Sequence, residues 1–147
     1  MKVALFGGTG FVGSYIVREL VRKGFIPKIL VRSGSLSKII SPCEVVRGDI
    51  QDKNAIIETI QGTEVVIYTI GIIREFPKKG VTFKELQLNG LKRCIEIARK
   101  IDVKRFILMS ANGVRSDGTA YQTTKWQADE ALTKSGLNWT IFRPSLI

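Results

Sequence analysis

A doubly wound α/β fold, with one parallel sheet of about six strands and helices on both faces, is the class this sequence predicts. Three observations point to it. Short apolar runs rich in β-branched residues alternate with helical patterns along the whole chain. The runs are continuous, as strands covered on both faces are. A glycine-spaced turn, Gly7-Gly8-Thr9-Gly10-Phe11-Val12-Gly13, joins the first run to the first helical pattern.

The elements follow in order. Lys2–Phe6 reads as the first strand, and a helix follows the turn from about Gly10 to Lys23. Pro27–Val31 is a second strand and Ser35–Ile40 a short helical turn. Glu44–Arg47 is a third strand, after which Asp52 caps a helix running to about Gln61. Glu64–Thr69 is a fourth strand with an unbroken apolar centre. The irregular stretch Gly71–Val81 carries Arg74, Lys78 and Lys79 beside Ile72, Ile73 and Phe76, a composition suited to a flap over a ligand. A long helix follows from Thr82 to Ile101, with Leu91, Cys94, Ile95, Ala98 and Ile101 on one stripe. Arg105–Met109 is a fifth strand, Ala120–Lys134 a helix stopped at Ser135-Gly136, and Trp139–Phe142 a sixth strand.

Composition narrows the chemistry. At 147 residues, the chain fits one domain, and 44% hydrophobic with 24% charged residues argues against disorder. Its apolar runs, such as Val65–Tyr68, fall far short of the roughly 20 residues that span a membrane. Met1 leads directly into the first strand without a basic, cleavable leader, so the expectation is a soluble cytoplasmic protein. Histidine is absent, which removes Ser-His and Cys-His pairs and histidine metal sites. Cys43 and Cys94, 51 positions apart, suit neither a zinc site nor a disulfide framework, and no metal is expected.

The glycine turn carries a specific chemistry. Gly7 permits the tight turn, Gly10 lets a pyrophosphate approach the backbone, and Gly13 lets the helix lie close to the strand. The helix N-terminus then offers unpaired N–H groups and its positive dipole end to phosphates. Because the triplet sits between a strand and a helix, the turn from Gly7 through Thr9, Gly10, Phe11 and Val12 to Gly13 is read as a dinucleotide cradle. An NAD site places a carboxylate about 20 residues further on, against the ribose 2′-hydroxyl. Here Val31-Arg32-Ser33-Gly34-Ser35 stands instead, with no carboxylate from position 20 to 43. A guanidinium beside small hydroxyls suits a 2′-phosphate, so NADP is preferred and NAD is the alternative.

The spaced glycines, Arg32, Gly48-Asp49-Ile50-Gln51-Asp52, Val81-Thr82-Phe83, Val103-Lys104-Arg105-Phe106-Ile107 and Ser135-Gly136-Leu137-Asn138-Trp139-Thr140-Ile141-Phe142-Arg143-Pro144 occur in one order. That order resembles the short-chain dehydrogenase/reductase superfamily with its Rossmann fold. More narrowly, it is similar to the extended and atypical branches: NmrA-like proteins and the NAD(P)H-binding accessory subunit of respiratory complex I. The resemblance implies that Asp49 holds the adenine amino group with Ile50 against the ring. It places Thr69, Ile70 and Gly71 along the adenine-side ribose and phosphates, and adds Ser33, Ser110 and Pro144 to the expected cofactor contacts.

Tyr121-Gln122-Thr123-Thr124-Lys125 places a phenol and an ammonium four apart, on one helix face. A nearby cation favours phenolate, which makes a tyrosine a usable acid or base. The resemblance implies Tyr121 as the proton donor or acceptor and Lys125 as a partner of the nicotinamide ribose. It also puts a serine or threonine just past strand five, but Ala111 falls at that position and Ser110 one residue early. Asn112 and Thr123 are possible substitutes. Asn89 matches a family asparagine, with a helix-bulge hydrogen bond as the competing role.

A net charge of +10 raises nucleic acid as a partner. Six cations fall between Lys92 and Arg105, yet Phe106 is the only nearby aromatic and no reading motif accompanies them. A solvated helix face is the preferred interpretation. The functional expectation is therefore an NAD(P)(H)-binding domain that transfers hydride to or from a small carbonyl or alcohol substrate. The alternative is a non-catalytic NAD(P)H sensor or assembly factor. The resembling families continue past the point matching Ile147 into a substrate-binding part, so residues 1–147 are expected to be the cofactor half of a longer protein.

Overall fold

The computed structural model describes residues 1–38 and 42–147. Six parallel strands, β1 (Lys2–Phe6), β2 (Ile26–Val31), β3 (Glu44–Arg47), β4 (Val65–Tyr68), β5 (Arg105–Met109) and β6 (Trp139–Phe142), form one sheet. Their order is β3-β2-β1-β4-β5-β6. The chain winds outward from β1 to one edge and then from β4 to the other. The crevice at the carboxyl ends of β1 and β4 is thus a topological switch point, where doubly wound folds bind ligands.

Each helix forms for a local reason. Helix α1 (Phe11–Arg22) starts at Gly10 without any side-chain cap or acidic residue in its first turn. Helix α2 (Lys53–Ile60) is capped by Asp52, whose carboxylate accepts from the amides of Asn54 and Ala55. The long helix expected from Thr82 to Ile101 divides into a π-helical turn over Lys84–Asn89 and α3 (Gly90–Lys100). Within the π turn the Leu86 carbonyl accepts from the Tyr68 hydroxyl at 2.5 Å. Helix α4 (Ala120–Thr133) opens with a reciprocal capping box between Thr119 and Gln122.

Alternate strand positions feed two cores. Ala4, Phe6, Leu30, Val66, Tyr68, Phe106 and Leu108 pack with α2, α3 and α4. Val3, Leu5, Ile29, Val31 and Ile67 pack on the opposite face with Val17 of α1. Helices therefore cover both faces, three on one and one on the other. The helical turn expected at Ser35–Ile40 is a 3₁₀ turn over Ser33–Lys38, and residues 39 and 40 lie outside the described residues. The Gly71–Val81 stretch has its own order: Phe76 and Val81 form an antiparallel bridge around a 3₁₀ turn at Pro77–Lys79.

Candidate functional site

A cleft of about 400 Å³ opens over the carboxyl ends of β1 to β4. Gly7, Thr9 and Gly10 form its floor, Arg32 and Ser35 one end, and Asp49 and Ile50 the wall beyond β3. Thr69, Ile70 and Gly71 line the opposite side, where Leu30, Ile72, Val81 and Leu86 add apolar surface. Nine of the residues singled out in the sequence thus come together at one place, from four strand ends.

The glycine spacing has the geometry it needs. Gly7 has φ +94°, and a Cβ there would lie 2.6 Å from Thr69 Oγ1. A Cβ on Gly13 would collide with the carbonyl of Gly7, so α1 can start against the turn only without a side chain there. The Thr69 hydroxyl donates to the Phe6 carbonyl at 3.0 Å and joins the two strand ends on either side of the switch point. With no side chain capping α1, its first-turn N–H groups are not claimed from within by a carboxylate or hydroxyl. A cradle that a Cβ would fill, an uncapped helix start and Arg32 at the end of β2 fit a ligand carrying phosphates.

Tyr121 and Lys125 stand on α4, beside this cleft rather than lining it. Lys125 is 6% exposed, and its ammonium donates to the Met109 carbonyl at 3.2 Å. It lies 3.4 Å from the point a Gly71 Cβ would occupy, which places it against a residue of the cleft. Burial lowers its pKa to about 8, with the Asp129 carboxylate acting in the opposite direction. The Lys125 ammonium is 6.0 Å from the Tyr121 ring centroid, and the ring meets Phe83 edge-on at 5.7 Å.

The remaining candidates fall in varied places. Phe11 is exposed and packs edge-on with Tyr15, while Val12 is half-buried; neither side chain lines the cleft. Ser33 is exposed, and Ser35 lines the cleft in its stead. Ser110 is buried with its hydroxyl unpartnered, and its amide donates to the Phe142 carbonyl. Ala111 is half-buried, Asn112 donates its amide to the Pro144 carbonyl, and the Thr123 hydroxyl is turned to the Gly118 carbonyl at 3.3 Å. Asn89 donates to Glu85 across the π turn, which is the helix-bulge role. Of the expected flap, only Gly71, Ile72 and Val81 reach the cleft; Ile73 is 92% exposed and Arg74 lies over the Phe76 ring.

Sequence reasoning missed Leu30, Leu86 and the buried Gln87. Gln87 accepts from the Ile72 amide at 3.4 Å and donates to Thr124 at 3.2 Å, tying the β4 exit to α4. A lone glutamine in a helical pattern gives no signal of such a bridge. Among the described residues no cluster of acidic or cysteine side chains could hold a metal, and no helix is long and apolar enough to cross a membrane.

Residues 7–147 match the family model described as NAD(P)H-binding. The chain belongs to this family. The NAD(P)H-binding domain is 31% identical to the ceramide reductase of Caulobacter vibrioides, across 99% of this chain and 46% of that protein. It is 27% identical to the photosystem II assembly factor Ycf39 of Cyanophora paradoxa, across 97% of this chain and 44% of that protein. The chain thus spans less than half the length of these relatives. Among solved structures, the Bordetella bronchiseptica enzyme WbmH in complex with NAD+ superposes with a TM-score of 0.81 at 20% identity, covering 97% of this chain and 55% of that one. That likeness shows the Rossmann fold.

Proposed function

We propose that this NAD(P)H-binding domain serves hydride transfer between a nicotinamide dinucleotide, NADP in preference to NAD, and a small carbonyl or alcohol. The observation that carries the reading is the Lys125 ammonium placed against Gly71, which brings the Tyr121–Lys125 pair to the β4 side of the cleft. The bound dinucleotide would supply the hydride. Tyr121 would hold or release the proton at the substrate oxygen, and Lys125 would place a positive charge beside it. Gly7, Thr9, Gly10 and the first turn of α1, with Phe11, Val12 and Gly13, would hold the phosphates through backbone N–H groups. Asp49 and Ile50 would take the adenine, and Thr69, Ile70 and Gly71 the ribose and phosphates along the cleft.

Arg32, with Ser35 beside it and Ser33 at the strand end, supports the preference for a 2′-phosphate, since no carboxylate stands there for a ribose hydroxyl. Ser110 and Pro144 would border the nicotinamide end. The ceramide reductase relative also supports an oxidoreductase.

The test is NADPH oxidation against a panel of carbonyl compounds, by wild type and Tyr121→Phe. Turnover that the substitution abolishes supports the enzyme. Tight binding without turnover by the full-length protein favours a second reading, a non-catalytic nucleotide sensor or assembly factor. Ala111 at the exit of β5, in place of a hydroxyl, and the assembly-factor relative favour that reading.

A further inference from the structure

Arg93 lies on α3 and does not line the cleft, yet its guanidinium reaches the cleft wall from behind. Nη1 donates to the Ile50 carbonyl at 3.2 Å, and Nη2 donates to Glu85 Oε1 at 2.6 Å. The other Glu85 oxygen accepts from Asn89 Nδ2 at 2.9 Å, and the Glu85 amide donates to Thr82 Oγ1 at 3.1 Å. Both carboxylate oxygens are therefore engaged, and the spacing of four residues keeps Glu85, Asn89 and Arg93 on one side of the helical run. The Asn89 amide and the Arg93 guanidinium hold the Glu85 carboxyl below its usual range, against partial burial. The ion pair is largely sheltered, with side-chain exposures of 31% for Arg93 and 21% for Glu85, so solvent screens it less than a surface pair.

A second contact meets the same residue. A Cβ on Gly90 would lie 2.6 Å from Ile50 Cγ1 and 2.6 Å from the Tyr68 hydroxyl, so the start of α3 presses directly on the Ile50 side chain. Ile50 is thus gripped twice from α3, by its side chain and by its carbonyl. The turn that carries it is otherwise bonded within itself: Asp49 accepts from the Gln51 amide, and the Asp52 amide donates to the Asp49 carbonyl. Asp49 and Ile50 line the cleft beyond Arg32, on the half of the sheet that takes the adenosine end of a dinucleotide.

We propose that Arg93, braced by Glu85 and Asn89, is a positioning residue that sets the Asp49–Ile50 wall for the adenosine end of the ligand. This rests on the dinucleotide reading of the cleft. Removal of the guanidinium releases the Ile50 carbonyl and leaves the Glu85 carboxylate without its cation. The wall then has to be ordered by the ligand itself, which lowers affinity without touching the nicotinamide end.

The experiment compares dissociation constants of NADPH and of 2′-phospho-ADP-ribose, which keeps the adenosine, its 2′-phosphate and the pyrophosphate but has no nicotinamide. Wild type, Arg93→Ala and Arg93→Lys are titrated, with Glu85→Gln as a second variant should Arg93→Ala fail to fold. Arg93→Ala is expected to weaken both ligands by the same factor, about tenfold, and Arg93→Lys to recover part of it. Unchanged affinities overturn the proposal. A loss confined to NADPH overturns it as well, since the effect would then lie at the nicotinamide end. Wild type that binds neither ligand would instead refute the dinucleotide reading of the cleft.

Discussion

The Lys125 ammonium, at 6% exposure, donates to the carbonyl of Met109 at 3.2 Å, so the exit of β5 holds a buried cation from α4. Burial at that place disfavours the charged form, and the Asp129 carboxylate one helical turn on offsets part of the effect.

This arrangement has a pH signature. Lys125 has a folded-state pKa lowered from 10.5 to about 8, so between those values the unfolded chain binds a proton that the folded chain has released. Stability from this group therefore rises with pH across that window, by about 3 kcal/mol in total, and is flat below it. Urea midpoints measured from pH 7 to 10.5 are expected to show the rise in wild type. In Lys125→Met the rise should vanish; a slope that survives the substitution would assign it to another group.

Arg32 sits at the cleft end beside Ser35, where a cation discriminates a phosphate from a hydroxyl. Arg32→Ala is expected to weaken NADPH ten- to hundredfold, as loss of charge-assisted hydrogen bonds worth about 1.5–3 kcal/mol requires. NADH should be nearly unaffected. Titrations of both coenzymes check this, and wild type that prefers NADH, with both affinities unmoved by the substitution, would count against NADP.

Gly13 faces the carbonyl of Gly7 with no space for a side chain. Gly13→Ala is expected to push α1 off the turn, at a cost of about 3 kcal/mol in stability. Because the start of α1 moves, the dinucleotide should also bind much more weakly even where the variant folds. Chemical denaturation and coenzyme titration read the two effects separately.

Thr119 caps the helix that carries Tyr121 and Lys125: its hydroxyl accepts from the Gln122 amide, and its own amide donates to Gln122 Oε1. Thr119→Ala should cost about 1 kcal/mol. The helix start would fray next to Tyr121, so amide exchange there is expected to quicken while β1 to β4 stay protected.

Much of this molecule was legible before its structure. The bounds of β1, β3, β5 and β6 follow from apolar runs, and the cap at Asp52 from one carboxylate before a helical pattern. Nine cleft residues, from Gly7 to Gly71, are legible because turn and strand-end positions carry type-specific chemistry. Residues whose function depends on a partner distant in sequence are not. Arg93 and Glu85 look like ordinary solvated charges on a helix, and only the contact of Arg93 with the Ile50 carbonyl, 43 positions away, reveals what they hold. The helix expected from Thr82 to Ile101 concealed the π turn, since an apolar stripe over Leu91 to Ile101 does not report one extra residue upstream.

The sequence alone determined the order of strands and helices, the glycine cradle and the absence of a carboxylate after β2, because each is a property of neighbouring residues. The tertiary structure decided that Lys125 is buried against Met109 and Gly71, that Ser35 lines the cleft while Ser33 is exposed, and that Ile50 is gripped from α3. Those outcomes depend on how far apart in space the strand ends and helix faces come to lie. Packing of the two cores on the sheet sets those distances, and no local pattern records them.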